Sequence, residues 1–140
     1  IAYPGFSLYH ASKWGIEGYV EAVRQEVAGF GIQFTLAEPG PARTNFGAAL
    51  ERTALPPDYA NTPVDALLRA LDDGSWVITG DPQRMVDAMI ACTEQTPPPL
   101  RLVMGTAAYH AIHAALSTRL AALEAQRAIA FSTDAPATAH

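Results

Sequence analysis

The sequence predicts an α/β fold built around a parallel β-sheet. The segment 32–38 is short, mostly apolar and contains β-branched and aromatic residues, which is typical of a strand covered on both faces. A second strand is predicted over residues 100–104. Longer segments with apolar residues at helical spacing lie around these strands, so that helices pack against the sheet.

The first helix is predicted over residues 9–28. The turn signal Pro4-Gly5 precedes it, and Gly29 and Gly31 end it. Its apolar positions recur at helical spacing: Ile16, Tyr19, Val20, Val23 and Val27. The sequence leaves open whether the three valines of this stripe face the core or a partner subunit.

The strand that follows the first helix ends at Pro39-Gly40-Pro41. Two prolines and a glycine force the chain to leave the sheet at this point. In open α/β sheets, ligands bind outside the carboxyl ends of the strands. We therefore expect a ligand to lie beside this turn.

Cap-and-proline patterns predict the later helices. Thr62-Pro63 begins a helix that runs to residue 71, and Asp81-Pro82 begins a helix over residues 82–94. A long Ala- and Leu-rich helix is predicted over residues 107–130. Residues 132–140 lack periodicity and are predicted to form a flexible tail.

The pair Tyr9 and Lys13 carries the strongest chemical signal. Residues four apart lie on one face of a helix, one turn above the other. A free tyrosine has a pKa of about 10 and is a poor acid or base at neutral pH. A neighbouring ammonium stabilises a phenolate and makes such a phenol a usable proton donor. Lys13 is the only lysine of the sequence.

Residues 3–50 resemble the catalytic half of a short-chain dehydrogenase/reductase. Tyr9-His10-Ala11-Ser12-Lys13 matches the Tyr-x-x-Ser-Lys motif of that family. The run from Pro39 to Thr44 matches its Pro-Gly-x-x-x-Thr motif after the next strand. The resemblance implies a Rossmann-like, three-layer, doubly wound parallel sheet, of which residues 1–131 would be the C-terminal part.

The resemblance also implies roles for individual residues. Tyr9 would be the general acid in carbonyl reduction and the general base in alcohol oxidation. Lys13 would activate Tyr9 and hydrogen-bond the ribose of NAD or NADP. The remaining cofactor-binding positions would be Pro39, Gly40, Ala42 and Thr44. Thr44 has an alternative role, because Thr before residues 45–47 is also a helix N-cap pattern.

The loop-rich segment 46–63 covers the substrate in the family that the chain resembles. Its apolar residues are expected either to form a lid or to anchor the loop: Phe46, Leu50, Leu55 and Tyr59. An apolar lid would favour a lipophilic alcohol or carbonyl compound as substrate. The substrate itself and the choice between NAD and NADP cannot be derived from these residues.

The family's glycine-rich turn and its upstream serine are not found in this sequence. We therefore expect the chain to be the C-terminal part of a longer polypeptide. Two alternatives stay open: a non-catalytic fragment that acts through protein contacts, and an epimerase or dehydratase that uses the same Tyr–Lys pair. The resemblance further implies a homo-oligomer at full length.

The charge and hydropathy of the sequence argue against two kinds of function, nucleic-acid binding and membrane spanning. The net charge of −5 gives no basic footprint for nucleic acid, and no apolar run is long enough to span a membrane. We expect a cytoplasmic protein. The only cysteine, Cys92, is predicted to be a small buried apolar residue. No metal site is expected, although His110 and His113 lie three residues apart on a predicted helix.

Overall fold

The computed structural model describes residues 1–45 and 53–135. Its regular elements follow one another as α1 (Ser7–Glu26), β1 (Leu36–Pro39), α2 (Pro63–Asp72), α3 (Pro82–Thr93), β2 (Arg101–Met104), α4 (Thr106–Ala125) and α5 (Arg127–Ser132). Two 3-10 turns, Ala28–Phe30 and Pro57–Tyr59, lie between them. Every helix and strand predicted from the sequence is therefore present, with shifted ends.

The two predicted strands pair with each other in parallel. Leu36 lies opposite Arg101, and Pro39 lies opposite Met104. Strand β1 begins four residues later than predicted, because the same register would place residues 32–34 opposite Pro97, Pro98 and Pro99. Proline has no N–H to donate to a sheet ladder.

Side-chain caps fix the starts of the two middle helices. The Thr62 hydroxyl accepts a hydrogen bond from the amide of Asp65 at 3.5 Å and begins α2. The Asp81 carboxylate accepts from the amides of Gln83 at 2.9 Å and Arg84 at 3.3 Å and begins α3. Both starts agree with the cap-and-proline patterns.

The predicted helix 107–130 is interrupted at Gln126. The amide of Gln126 donates to the carbonyl of Leu123 at 3.0 Å, a tighter bond than an α-helical turn makes. Its side-chain Nε2 also donates to the carbonyl of Ala122 at 3.1 Å. These local bonds end α4 at Ala125, and α5 continues to Ser132. The predicted tail begins where α5 ends, and residues 136–140 lie outside the described part of the chain.

The core of the described residues is small. Its buried hydrophobic residues are Val20, Leu67, Met85, Cys92, Met104 and Ala108. The burial predicted for Cys92 is confirmed, since this side chain is 2% exposed. Val20 is buried and Val23 and Val27 are half-buried, so the valine stripe of α1 faces the interior of this chain.

Several large apolar side chains stay exposed on the outer helices: Leu8, Tyr19, Leu116, Leu120, Leu123 and Phe131. Within residues 1–45 and 53–135, no helix has both the length and the apolar character needed to cross a bilayer. Arg119 on α4 places its guanidinium over the ring of Trp14 on α1, 4.5 Å from the ring centre. This contact joins α4 to α1.

Candidate active site

The first two turns of α1 bring Tyr9 and Lys13 together. The Lys13 ammonium lies 5.6 Å from the centre of the Tyr9 ring. Tyr9 is 43% exposed and Lys13 is also exposed, so both side chains are accessible at the surface. The Ser12 hydroxyl donates to the carbonyl of Tyr9 at 2.7 Å, which gives this residue of the motif a backbone-binding role.

The loop before α1 is fixed by His10. The imidazole Nε2 of His10 accepts a hydrogen bond from the amide of Tyr3 at 2.9 Å. The Tyr3 ring meets Trp76 edge-on, with ring centroids 5.8 Å apart. Gly5 adopts a left-handed φ of +79°, where a β-carbon would also contact Val64 at 3.4 Å. These contacts set the position from which α1 begins.

The turn after β1 packs tightly against the start of α4. The amide of Gly40 donates to the carbonyl of Met104 at 2.8 Å. A β-carbon on Gly40 would lie 3.1 Å from the Cβ of Ala108 and 3.3 Å from its amide nitrogen. Glycine at this position thus has a packing reason within the chain itself, besides the cofactor role that the sequence predicts.

The turn then forms a parallel bridge with the start of α3. Ala42 pairs with Gly80: the amide of Gly80 donates to the carbonyl of Pro41, and the amide of Arg43 donates to the carbonyl of Gly80, both at 3.1 Å. The amide of Ala42 takes no part in this bridge. Thr44 follows in an exposed bend. Its alternative role as an N-cap depends on residues 46–52, which lie outside the described residues.

The predicted lid is described only in part. Phe46 and Leu50 lie outside the described residues. Leu55 is half-buried, and Tyr59 is 49% exposed in the 3-10 turn Pro57–Tyr59. Leu55 therefore packs as a loop anchor does, whereas Tyr59 offers apolar surface to solvent.

A charged cluster centred on Arg101 holds α1 to the sheet. Its guanidinium Nη2 lies 2.8 Å from Oε2 of Glu17 and 2.5 Å from Oε1 of Glu21, both on α1. Its Nε lies 3.3 Å from Oε1 of Glu38 on β1. The hydrogen bonds to Glu21 and then to Glu17 raise the pKa of the Arg101 guanidinium.

Glu38 is the least exposed carboxylate of this cluster, with 18% of its side chain exposed. Burial is the main cause that raises the pKa of the Glu38 carboxyl above its usual value, and repulsion from Glu17 adds to it. Attraction to Arg101 acts in the opposite direction but is the weaker effect. The longer contact of 3.3 Å agrees with this order, because Arg101 gives its shorter bonds to the two glutamates of α1.

We expect Glu38→Gln to become more stable relative to the unmutated chain as the pH rises. A raised pKa means that the folded state holds the Glu38 proton more tightly than the unfolded state. The stability that this proton provides is complete below the usual pKa of 4.5 and is lost as the pH rises through the higher folded-state value. Thermal unfolding at a series of pH values measures the difference.

The control for this prediction is Gln25→Ala, an exposed change on α1 that removes no titratable group. Its difference from the unmutated chain should not change with pH across the same range. A Glu38→Gln difference that stays constant with pH, or that turns against the variant as the pH rises, would contradict the assignment.

Among the residues that the structure describes, no group of three or more His, Cys, Asp or Glu side chains is arranged so that it could hold a metal ion. His113 instead stacks on Tyr109, with ring centroids 6.1 Å apart. A cavity of about 270 Å³, lined by Arg24, Phe34, Leu100 and neighbours, lies where α1 ends and the strands begin. It is therefore at the far end of α1 from Tyr9.

Known proteins with similar sequences and folds belong to the family that the sequence motifs indicate. A family model described as short chain dehydrogenase matches residues 1–54. The crystal structure of a short-chain dehydrogenase from Streptomyces avermitilis superposes with a TM-score of 0.78 at 31% identity, over 96% of this chain and 48% of that one. The chain belongs to the short-chain dehydrogenase/reductase family. Its Rossmann-like fold, predicted from the sequence, is confirmed by this structural neighbour.

Two curated relatives show the same partial coverage. Oxidoreductase BOA17 of Botryotinia fuckeliana is 33% identical over 106 residues, which are 75% of this chain and 38% of that protein. Human retinol dehydrogenase 8 is 30% identical over 101 residues, which are 67% of this chain and 32% of that protein. The chain thus spans less than half the length of these relatives.

Three residues that contribute to the site were missed by sequence reasoning. His10 lies within the Tyr–Lys motif and carries no sequence signal of a structural role, yet it fixes the loop before α1. Gly80 and Arg101 were not singled out, because each acts on residues far away in the sequence. A glycine directly before an N-cap aspartate was the only available signal for Gly80.

Proposed function

We propose that this chain contributes the proton-transfer groups of an NAD(P)-dependent oxidoreductase that interconverts an alcohol with a ketone or aldehyde. One observation carries the proposal: the Lys13 ammonium lies over the Tyr9 ring at 5.6 Å, on accessible first turns of α1. A cation so close to a phenol favours its ionised form. Membership of the short-chain dehydrogenase/reductase family supports the same chemistry.

The described residues fit the nicotinamide and ribose part of a dinucleotide. Lys13 offers an exposed ammonium for the ribose hydroxyls. Ala42 offers an amide that its bridge with Gly80 does not use, and Thr44 offers a hydroxyl in an exposed bend. Pro39 and Gly40 begin the turn that carries Ala42 and Thr44. When bound, the cofactor supplies or accepts the hydride.

The protein's own contribution is proton transfer at the substrate oxygen. In reduction, the Tyr9 hydroxyl donates its proton to the oxygen that was the carbonyl. In oxidation, the Tyr9 phenolate accepts the hydroxyl proton of the alcohol. In both directions, Lys13 supplies the positive charge beside the oxygen that gives or takes the proton.

The substrate class that we favour is a lipophilic alcohol or carbonyl compound. Tyr59 exposes 49% of its surface in the segment predicted as an apolar lid. The name of the human relative refers to retinol, a lipophilic alcohol. Residues 1–131 are, in this proposal, part of one nucleotide-binding domain. The homo-oligomer and the cytoplasmic location expected from the sequence stay predictions.

Replacing Lys13 by Met tests the proposal. Both turnover and cofactor affinity should fall, by about tenfold or more each, because a charge-assisted hydrogen bond is lost in each case. The measurement is NAD(P)H consumption with a panel of ketones and aldehydes, together with direct cofactor titration. It uses the polypeptide as the cell makes it.

Arg24→Met is the matched control, since it removes a cation near the other end of the same helix. It should leave both quantities within about twofold of the unmutated protein. If Lys13→Met behaves like Arg24→Met, the proposed role of Lys13 is wrong.

A further inference from the structure

Glu17 stands where it can compete for Lys13. It follows Lys13 by four residues on α1, and side chains four apart on a helix are neighbours, with Cβ atoms about 5–6 Å apart. A carboxylate at this spacing is within reach of a lysine ammonium, although the reverse order, Glu before Lys, gives the stronger pair. Such a pair would draw the ammonium one turn down the helix, away from Tyr9.

The structure shows a different pairing. Oε2 of Glu17 accepts a hydrogen bond from Arg101 at 2.8 Å. Among residues 1–45 and 53–135, the ion pairs include none to Lys13, whose ammonium lies over the Tyr9 ring instead. Arg101 therefore pairs with Glu17, whereas the Lys13 ammonium lies over Tyr9.

We propose that Arg101 is a positioning residue that occupies Glu17 and thereby keeps the Lys13 ammonium at Tyr9. The geometric part of the inference concerns only Lys13, Glu17 and Arg101. Its consequence for catalysis rests on the function proposed above for Tyr9.

Arginine suits this task because its planar guanidinium offers five donors in a rigid fork. Arg101 uses it to contact Glu21 and Glu38 as well as Glu17. Glu38 directly precedes Pro39, where the ligand-binding turn begins. One side chain thus joins the lower turns of the catalytic helix to the strand that leads to the turn.

Nuclear magnetic resonance of the full 140-residue chain tests the geometry. Lys13 is the only lysine, so selective ¹³C labelling of lysine gives a single ε-methylene group. In the unmutated chain, this group should show cross-relaxation with the Tyr9 ring protons, identified by their loss in Tyr9→Ala. In Arg101→Gln, this contact should weaken by about half, and a contact with the Glu17 side chain should appear, because Glu17 is then released.

The double variants separate positioning from general loosening of the helix. Arg101→Gln with Glu17→Gln should restore the contact between Lys13 and Tyr9, because no competing carboxylate is left within reach. Arg101→Gln with Glu21→Gln removes the same charge eight residues from Lys13 and should not restore it. Equal results for the two double variants, or an unchanged contact in Arg101→Gln, would overturn the proposal.

The single variant Glu17→Gln guards against a failure of Arg101→Gln to fold. It should leave the contact between Lys13 and Tyr9 unchanged, since Arg101 already occupies Glu17. A stronger contact in Glu17→Gln would mean that Glu17 draws Lys13 away even with Arg101 in place, and would also overturn the proposal.

Turnover distinguishes this inference from the proposed function. If the function is right, turnover falls about twofold in Arg101→Gln and recovers with Glu17→Gln but not with Glu21→Gln. If Tyr9 is not the proton donor, turnover will not follow this pattern. The contact between Lys13 and Tyr9 should nevertheless weaken and recover in the variants as described above. Resonance contacts that fail while Tyr9→Phe is inactive would reject the inference and retain the function.

Discussion

Phenylalanine in place of Tyr9 is expected to lower turnover by a factor on the order of 10² or more. The substitution removes the hydroxyl proton that the proposed reaction transfers, while it keeps the ring that lies 5.6 Å from the Lys13 ammonium. Because Tyr9 is 43% exposed, little packing is lost and stability should hardly change. Steady-state NAD(P)H consumption and thermal unfolding measure the two quantities.

Tyr19→Phe is the matched control for this experiment. Tyr19 lies on the same helix and is 67% exposed, but it is almost three turns beyond Tyr9. It should retain full turnover. Retained turnover in Tyr9→Phe would reject Tyr9 as the proton donor, and an equal loss in both variants would point to damage of the helix rather than of the chemistry.

The order and kind of the structural elements could be predicted because their signals are local. Caps and prolines lie next to the helices that they begin, as Thr62 and Asp81 do. The start of β1 could not be predicted in the same way. It depends on Pro97, Pro98 and Pro99, which lie about 65 residues further along the chain and meet it only through the parallel register.

The same distinction separates the two halves of the site. Tyr9 and Lys13 are four residues apart, so helical geometry alone brings them together. Arg101 lies 84 residues from Glu17 and 80 from Glu21, and no local pattern marks it as their partner. The residue pair on which the proposed chemistry rests is thus visible in the sequence, whereas the contacts around this pair can be seen only in the fold.

The packing roles of Gly40 and Gly80 could not be predicted from sequence motifs. Gly40 was predicted from its motif to let the cofactor approach, and the structure adds that Ala108 fills the space of a missing side chain at this position. Gly80 belongs to no motif that was recognised. Its close contacts arise because the start of α3 meets the turn after β1, which is a property of the tertiary structure.

Gly80→Ala is expected to be the most destabilising single-methyl change at the site. A β-carbon at Gly80 would lie 2.5 Å from the carbonyl oxygen of Pro41, 2.7 Å from Cε of Met85 and 3.1 Å from Cα of Ala42. The Met85 side chain can move aside, but two of the three atoms belong to the backbone. Overpacking of this kind costs about 1–3 kcal/mol of unfolding free energy. Urea unfolding of the two chains measures the loss.

Gly18→Ala is the matched control, because it adds the same methyl group in the middle of α1. A β-carbon there meets no atom of the described residues within 4 Å. Alanine is the better helix former by about 0.5–1 kcal/mol, so this variant should be more stable than the unmutated chain. The two changes should therefore have opposite signs. If Gly80→Ala were as stable as the unmutated chain, the bridge between Ala42 and Gly80 would not hold the turn after β1 in place. In that case the position of the Ala42 amide, on which the proposed cofactor contact depends, would lose its structural support.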